Sequence, residues 1–315
     1  MDTSEGPVYL GRDTIEKALT TEAAIGALES VLNSGFDPEQ DAPRTRVDTS
    51  SGQLLQMPST LGEYVGSKLL TITPANAGAG RPVIQGLYSL FGGGDQRPLA
   101  ILDGMALTNL RTAAVSGLGA RRLAAPGPKR LVVFGTGAQA WEHIRAFTGL
   151  FDLTAVEIVG RTAAHAERLA ARVRGLGLEV RVGDAGAVAR ADIILCCTAA
   201  AEPLFDGSLV PDSAAVVAMG SHTPGHRELD DALLGRGTVC VESRASALRE
   251  AGEVIHGLES GAIHGPDSLV TLADLVLGRT VPDARRPAVF KTTGMPWEDL
   301  AVATAVFEAA AADQA

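Results

Sequence analysis

The stretch Leu131-Val132-Val133-Phe134-Gly135-Thr136-Gly137-Ala138-Gln139-Ala140 passes from four apolar residues through a glycine-rich bend into helix-forming residues. Gly135, Gly137 and Ala140 have the spacing of a dinucleotide fingerprint whose last small position is Ala. In that motif the first glycine permits a tight turn and the second lets backbone amides approach a pyrophosphate. The third small residue lets the helix pack closely on its strand. Glycine spacing alone is a weak signal, but a second apolar run, Val156-Glu157-Ile158-Val159, follows at the distance a βαβ unit requires. The stretch predicts such a unit, with Gly135, Gly137, Ala138 and Gln139 around a bound dinucleotide. A purely structural turn is the alternative.

The residues after the second strand bear on which dinucleotide it is. Gly160-Arg161-Thr162 stands where an NAD site usually offers Asp or Glu to the ribose hydroxyls. A carboxylate there would repel a 2′-phosphate, whereas Arg161 supplies a planar donor fork and Thr162 a hydroxyl. This favours NADPH, with NADH possible. The other reading of Arg161 is a solvated side chain opening the next helix.

Downstream the pattern is regular: strand 131–134, helix 138–150, strand 155–159, helix 162–174, a short strand over 179–182, then strands over 192–197, 214–219 and 238–241. Continuous apolar strands alternating with helices predict a parallel sheet covered on both faces. Upstream the pattern is mixed. Asp13 followed by Glu16 reads as a capping box opening a helical stretch that runs, with or without a break, to about Leu32. Strand-like runs at 67–73, 83–91 and 99–102 look like a sheet without βαβ alternation. Thr108 reads as the cap of a helix running through Arg111 to Leu123, and Pro126-Gly127-Pro128 breaks it. The expected fold is therefore α/β: a Rossmann-type doubly wound sheet over 126–296 and an α+β domain over 1–125. The last apolar helix, 297–315, returns to the first domain.

Composition limits the function classes. The 315 residues carry a formal net charge of -10 without a basic run, which argues against a nucleic-acid partner. Neither a signal peptide nor a membrane-length apolar window is visible, so a cytoplasmic protein without a membrane partner is expected. Cys196 and Cys197 are adjacent on an apparent strand and point to opposite faces. Buried thiols are therefore the better reading than a disulfide or metal cage. The six histidines show no metal-ligand spacing.

Three cations outside the dinucleotide region fit a small anionic substrate. Arg111, read as lying in the first turn of its helix, opposes the macrodipole, which suggests an anion nearby. A substrate carboxylate and a salt bridge to Asp103 both satisfy that reading. Lys68 lies within Val65-Gly66-Ser67-Lys68-Leu69-Leu70 and either points into a cleft, where it binds a carboxylate or titrates, or faces outward from an edge strand. Arg44, after Pro43, is the third. Ligands of open α/β sheets bind beyond the carboxyl ends of the strands, so Thr198 and the loop Gly220-Ser221-His222-Thr223-Pro224-Gly225 are expected beside nicotinamide or substrate. His222 serves there as an acid-base group or only lines the loop.

Taken in order, these residues resemble the ornithine cyclodeaminase/mu-crystallin family. The likeness rests on Pro43-Arg44, the Lys68 segment through Pro74-Ala75-Asn76, and Leu102-Asp103-Gly104. It continues through Thr108 to Ser116, Gly135 to Ala140, Gly220 to Leu229, Phe290-Lys291-Thr292-Thr293-Gly294 and Glu298-Asp299. The resemblance implies a substrate and dimerisation domain before a Rossmann domain, a C-terminal helix returning to the first, and a homodimer. It implies carboxylate binding by Arg44, Lys68 and Arg111, with Lys68 also catalytic. It adds Thr112, Met219, Ser221 and Thr292 to the residues around the cofactor.

One departure narrows the activity. Ornithine cyclodeaminases of that family carry Asp where this chain has His222, and the family's ketimine and pyrroline-2-carboxylate reductases also lack that Asp. Both kinds of reductase have an ending related to Pro224-Gly225-His226-Arg227-Glu228-Leu229-Asp230. The implied activity is NAD(P)H-dependent reduction of the C=N bond of a small imine carboxylate to an amino acid. Ornithine cyclodeamination, alanine-dehydrogenase-type deamination and a non-catalytic NADPH-binding role remain as alternatives.

Overall fold

The computed structural model describes residues 6–312. The chain opens with β1 (Val8–Leu10), α1 (Arg12–Ala18) and α2 (Thr21–Asn33). It continues through β2 (Thr45–Thr49), β3 (Gly52–Leu61), β4 (Tyr64–Ile72), β5 (Ile84–Gly92), β6 (Arg97–Asp103) and α3 (Gly104–Leu123). Then follow β7 (Lys129–Phe134), α4 (Ala138–Leu150), β8 (Leu153–Val159), α5 (Ala163–Arg174), β9 (Val180–Val182), β10 (Ile193–Cys196) and β11 (Ala215–Ala218). The chain ends with α6 (Asp231–Arg236), β12 (Thr238–Val241), α7 (Arg244–Glu250), α8 (Gly252–Ser260), β13 (Val270–Thr271), α9 (Leu272–Val276), β14 (Ala288–Lys291) and α10 (Pro296–Ala312). Two compact units result, Met1–Ala114 with Gly294–Ala315, and Val115–Thr293. The division falls inside α3, ahead of the Pro126-Gly127-Pro128 breaker at which the sequence suggests it.

The first unit is a six-stranded sheet in the order β1-β6-β5-β4-β3-β2, in which β2 to β6 run antiparallel and β1 pairs parallel with β6. One face is covered by helices. On α2, Ala24, Ile25, Leu28 and Leu32 form a buried apolar stripe at helical spacing, and Thr20 caps the helix by accepting from the Ala23 amide. Helix α10 packs on β3, β4 and β5 and on α1 and α2, and its apolar residues are buried on nearly every side. The covered sheet face carries a row at matching register: Met57, Lys68, Tyr88, Leu102 and Leu10, all buried. Side chains alternate along a strand, so register alone places Lys68 in the core.

Two local expectations are corrected. Helix α1 starts after Gly11 with no side-chain cap, so Asp13 and Glu16 are not a capping box. The N-terminal helical stretch is broken into two helices, as the sequence allows, and the capping oxygen belongs to Thr20. Helix α3 starts at Gly104, not at Thr108, because the Asp103 carboxylate accepts from the Met105 and Ala106 amides. Thr108 lies inside the helix and donates to the Gly104 carbonyl. Arg111 is therefore two turns into α3, beyond the reach of the macrodipole argument.

The second unit is an eight-stranded, wholly parallel sheet in the order β13-β12-β14-β11-β10-β7-β8-β9. From β7 the chain winds outward through β8 and β9, then returns to lay β10 and β11 on the other side of β7. The crevice beyond the carboxyl ends of β7 and β10 is thus a topological switch point, where such sheets bind ligands. Strands β10, β11 and β14 are fully buried, which accounts for their unbroken apolar runs. Strand β14, between β11 and β12, was not among the strands expected from the sequence.

Candidate active site

The glycine-rich bend closes β7 onto α4. Gly135 has φ +115°, and a Cβ there would lie 2.5 Å from the Cys197 carbonyl oxygen, so backbone conformation and space both demand glycine. Its amide donates to Val159 O, and the Cys197 amide donates to Phe134 O, which ties β7 to both neighbours at the switch point. Gly137 is the N-cap of α4 and offers no capping side chain, so Ala138 and Gln139 open a helix whose first amides suit an anion.

Beside this turn lies a cavity of about 440 Å³ lined by Gly135, Thr136, Arg161, Thr162, His165 and Thr198, among others. A concave lining of backbone, hydroxyls, apolar side chains and one arginine beyond the strand ends fits part of a bound dinucleotide. Arg161 is exposed at its rim, and Thr162 is the N-cap of α5 without a side-chain cap bond. Met219, Ser221 and Thr292 sit at neighbouring strand ends: the Met219 amide donates to Cys196 O and the Thr292 amide to Ala218 O. His222 is half-buried in the loop after β11.

The first unit gathers Arg44, Lys68 and Arg111 around the start of α10. Lys68 Nζ lies 2.8 Å from Asp299 and is 1% exposed. Arg111 Nε donates to Asp299 at 3.0 Å, and its Nη1 lies 3.3 Å from Glu298. Arg44 donates to the Gly294 carbonyl, and a Cβ on Gly294 would sit 2.5 Å from Arg111 Nη1. Thr112, the next residue of α3, is buried with its hydroxyl lacking a hydrogen-bond partner, as a ligand-contacting group would be.

Charge and burial set the protonation of this cluster. Burial and the Arg111 charge push the Lys68 ammonium down to about 8, against the upward pull of Asp299. Burial alone would raise the Asp299 carboxyl, but Arg111 and Lys68 outweigh it and hold it below the usual carboxylate value. Asp299 is ionised at neutral pH, and Lys68 holds a proton it can give up near physiological pH. Sequence reading missed Asp299 and Glu298 as members of the site. Their signal was two acids opening an otherwise apolar, enclosed helix.

A second buried polar network joins the strand ends of the second unit and was also missed. The Glu228 carboxylate accepts from the Thr198 amide at 2.8 Å and hydroxyl at 2.7 Å, and from the Gly220 amide at 2.8 Å. The Glu228 amide donates to Glu253, whose other oxygen lies 3.1 Å from Lys291 Nζ, and Lys291 donates to the Ser221 carbonyl at 2.6 Å. Burial pushes the Glu228 carboxyl up, and the Lys291 ammonium opposes that shift.

A family model described as "Ornithine cyclodeaminase/mu-crystallin family" matches residues 7–314. Ketimine reductase mu-crystallin of Mus musculus is 33% identical over 313 residues, covering 96% of this chain and 97% of that protein. A Delta(1)-pyrroline-2-carboxylate reductase of Paracoccus denitrificans is 34% identical over 250 residues, covering 76% and 77%. Among solved structures, the Delta(1)-pyrroline-2-carboxylate reductase of Thermococcus litoralis in complex with NADH and L-proline superposes with a TM-score of 0.91. It is 25% identical, and the match covers 98% of each chain.

Proposed function

Since the chain belongs to the ornithine cyclodeaminase/mu-crystallin family, we propose that it is an oxidoreductase that reduces the C=N bond of a small imine carboxylate with a nicotinamide cofactor, yielding an amino acid. The observation that carries this reading is the buried Lys68, brought down to about 8 and set among Arg44, Arg111 and Asp299. Two arginines and an ammonium suit a carboxylate. Holding that carboxylate fixes the orientation of the adjoining C=N group, which lowers the barrier before any bond changes. An imine accepts hydride far better when its nitrogen is protonated, and Lys68 Nζ is the donor with a suitable proton. The nicotinamide supplies the hydride, and the protein supplies orientation and charge.

Gly135, Gly137, Ala138 and Gln139 would hold the pyrophosphate, with Thr198, Met219, Ser221 and Thr292 toward the nicotinamide half and Thr112 a further contact. Arg161 and Thr162 favour NADPH over NADH through the 2′-phosphate. His222 stands where cyclodeaminases of the family have Asp, so a diamino acid's cation loses its counter-charge, and the redox-neutral reading is disfavoured.

The domain expectation carries over as part of this proposal: the first unit binds substrate and pairs with a second copy of the chain. Support comes from the sheet face opposite the helices. There Tyr9, Ile101, Leu87 and Leu69 are 69, 37, 43 and 38% exposed, on four adjacent strands. An apolar row of that kind on an open antiparallel sheet suits a self-complementary two-fold interface.

The test is oxidation of NADPH and of NADH with pyrroline-2-carboxylate, piperideine-2-carboxylate, and pyruvate plus an amine. Turnover of at least one imine, abolished by Lys68→Ala with cofactor binding retained, is the expected result. Inactivity with all three overturns the proposal, and Lys68→Ala at full activity removes the role given to Lys68.

A further inference from the structure

The Glu228 network lies outside the fingerprint and outside the cation cluster, yet it brings Glu228, Glu253 and Lys291 together in a fully buried setting. Buried polar groups are costly unless partnered: here Glu228 accepts from the Thr198 amide and hydroxyl and the Gly220 amide, Glu253 accepts from the Glu228 amide and faces Lys291, and Lys291 donates to the Ser221 carbonyl. What it joins is specific. One carboxylate receives the backbone amide at the end of β10 and the backbone amide at the end of β11. The next strand over, β14, contributes the lysine that completes the chain of contacts. The junction is tight: a Cβ on Gly220 would lie 1.8 Å from the Thr198 carbonyl oxygen and 2.8 Å from Glu228. Thr198 in turn lines the cavity beside the glycine-rich turn.

We propose that Glu228 is a positioning residue, held by Glu253 and Lys291, that clamps the loops after β10 and β11 and thereby fixes the binding surface for the nicotinamide half of the dinucleotide. The inference rests on the dinucleotide reading above. It separates the two halves of the cofactor. The pyrophosphate turn at Gly135–Ala138 and the ribose edge at Arg161 and Thr162 are built without Glu228, whereas Thr198, Gly220 and Ser221 are all bonded into its network. Glutamine at 228 keeps the shape but turns an amino group toward one of two buried amide donors, so one loop loses its acceptor.

The experiment measures binding by calorimetry to wild type and to Glu228→Gln. Each dinucleotide, NADPH and NADH, is compared with its own fragment lacking only the nicotinamide and its ribose. The expected result is that Glu228→Gln binds the fragments as wild type does while the preferred dinucleotide weakens about tenfold. The fluorescence anisotropy of the bound reduced nicotinamide should fall with it. Glu253→Gln, which keeps the acceptor for the Glu228 amide but withdraws the charge facing Lys291, should act in the same direction. It carries the test by the same criteria if Glu228→Gln does not fold. Unchanged dinucleotide affinity, or equal weakening of dinucleotide and fragment, overturns the positioning role. If wild type binds neither probe, the dinucleotide reading fails and this inference fails with it.

Discussion

Replacing Asp299 by Asn keeps the shape of the Lys68 contact but removes the charge that holds the Lys68 proton. In the native chain Lys68 titrates near 8 because burial and Arg111 lower it while Asp299, 2.8 Å away, raises it. A unit charge pair about 3 Å apart at an effective dielectric near 20 is worth about 5 to 6 kcal/mol. That sets a ceiling of about four pKa units. Glu298 stays beside Arg111 at 3.3 Å and relaxation absorbs part of the change, so a drop of about one to two units is expected. The sign follows from Lys68 acting as the acid. Imine reduction is present while Lys68 is protonated and is lost as pH rises through its pKa. In wild type kcat/KM should fall through about pH 8, set by the Lys68 value. In Asp299→Asn the same limb should fall through about pH 6 to 7. The assay is the pH profile of kcat/KM for the preferred imine at saturating cofactor, with cofactor affinity measured alongside. A limb that stays in place, or moves to higher pH, refutes the coupling and with it the assignment of Lys68 as the acid.

Three other changes probe separate parts of the reading. Arg161→Ala should weaken NADPH about 10- to 100-fold and leave NADH unchanged, the loss of a charge-assisted phosphate contact; titration with both cofactors measures it. Gly135→Ala forces a Cβ to 2.5 Å from the Cys197 carbonyl oxygen at φ +115°. It should cost about 2 kcal/mol, a melting temperature lower by about 4–8 °C, and abolish dinucleotide binding. Leu69→Lys with Leu87→Asp, on the open face of the six-stranded sheet, should convert a dimer to a monomer in sedimentation equilibrium with little change in secondary structure.

How far the sequence reaches depends on the range over which its signals act. Strands β10, β11 and β12 are legible because burial on both faces writes near-continuous apolar runs, β7 and β8 because apolar runs flank the glycine-rich turn at βαβ spacing, and the turn after β7 because a strained glycine has few alternatives. Strand β14 is not. It is four residues long and ends in Lys291, whose charge is compatible with a buried strand only because Glu253, from another element, lies 3.1 Å away. The start of α3 was misplaced for a related reason. Thr108 is an acceptable cap in isolation, and only the bonds from Asp103 to Met105 and Ala106 show that the helix has already begun.

The cation cluster shows most clearly what a linear reading leaves out. Arg111 was inferred to face an anion from a helix position it does not occupy, yet it does face one: Asp299, 188 residues away in the chain. Asp299 and Glu298 lie in the first turn of α10, where the helix dipole alone would make each acid worth only a few tenths of a kcal/mol to about one. Folding turns them into the buried partners of Lys68 and Arg111, where each charge depends on the other for compensation. Charges read singly from a sequence are then the wrong units. Lys68 near 8 is a property of the Lys68, Arg111 and Asp299 assembly, and a change at any one of the three moves the proton that the proposed chemistry uses.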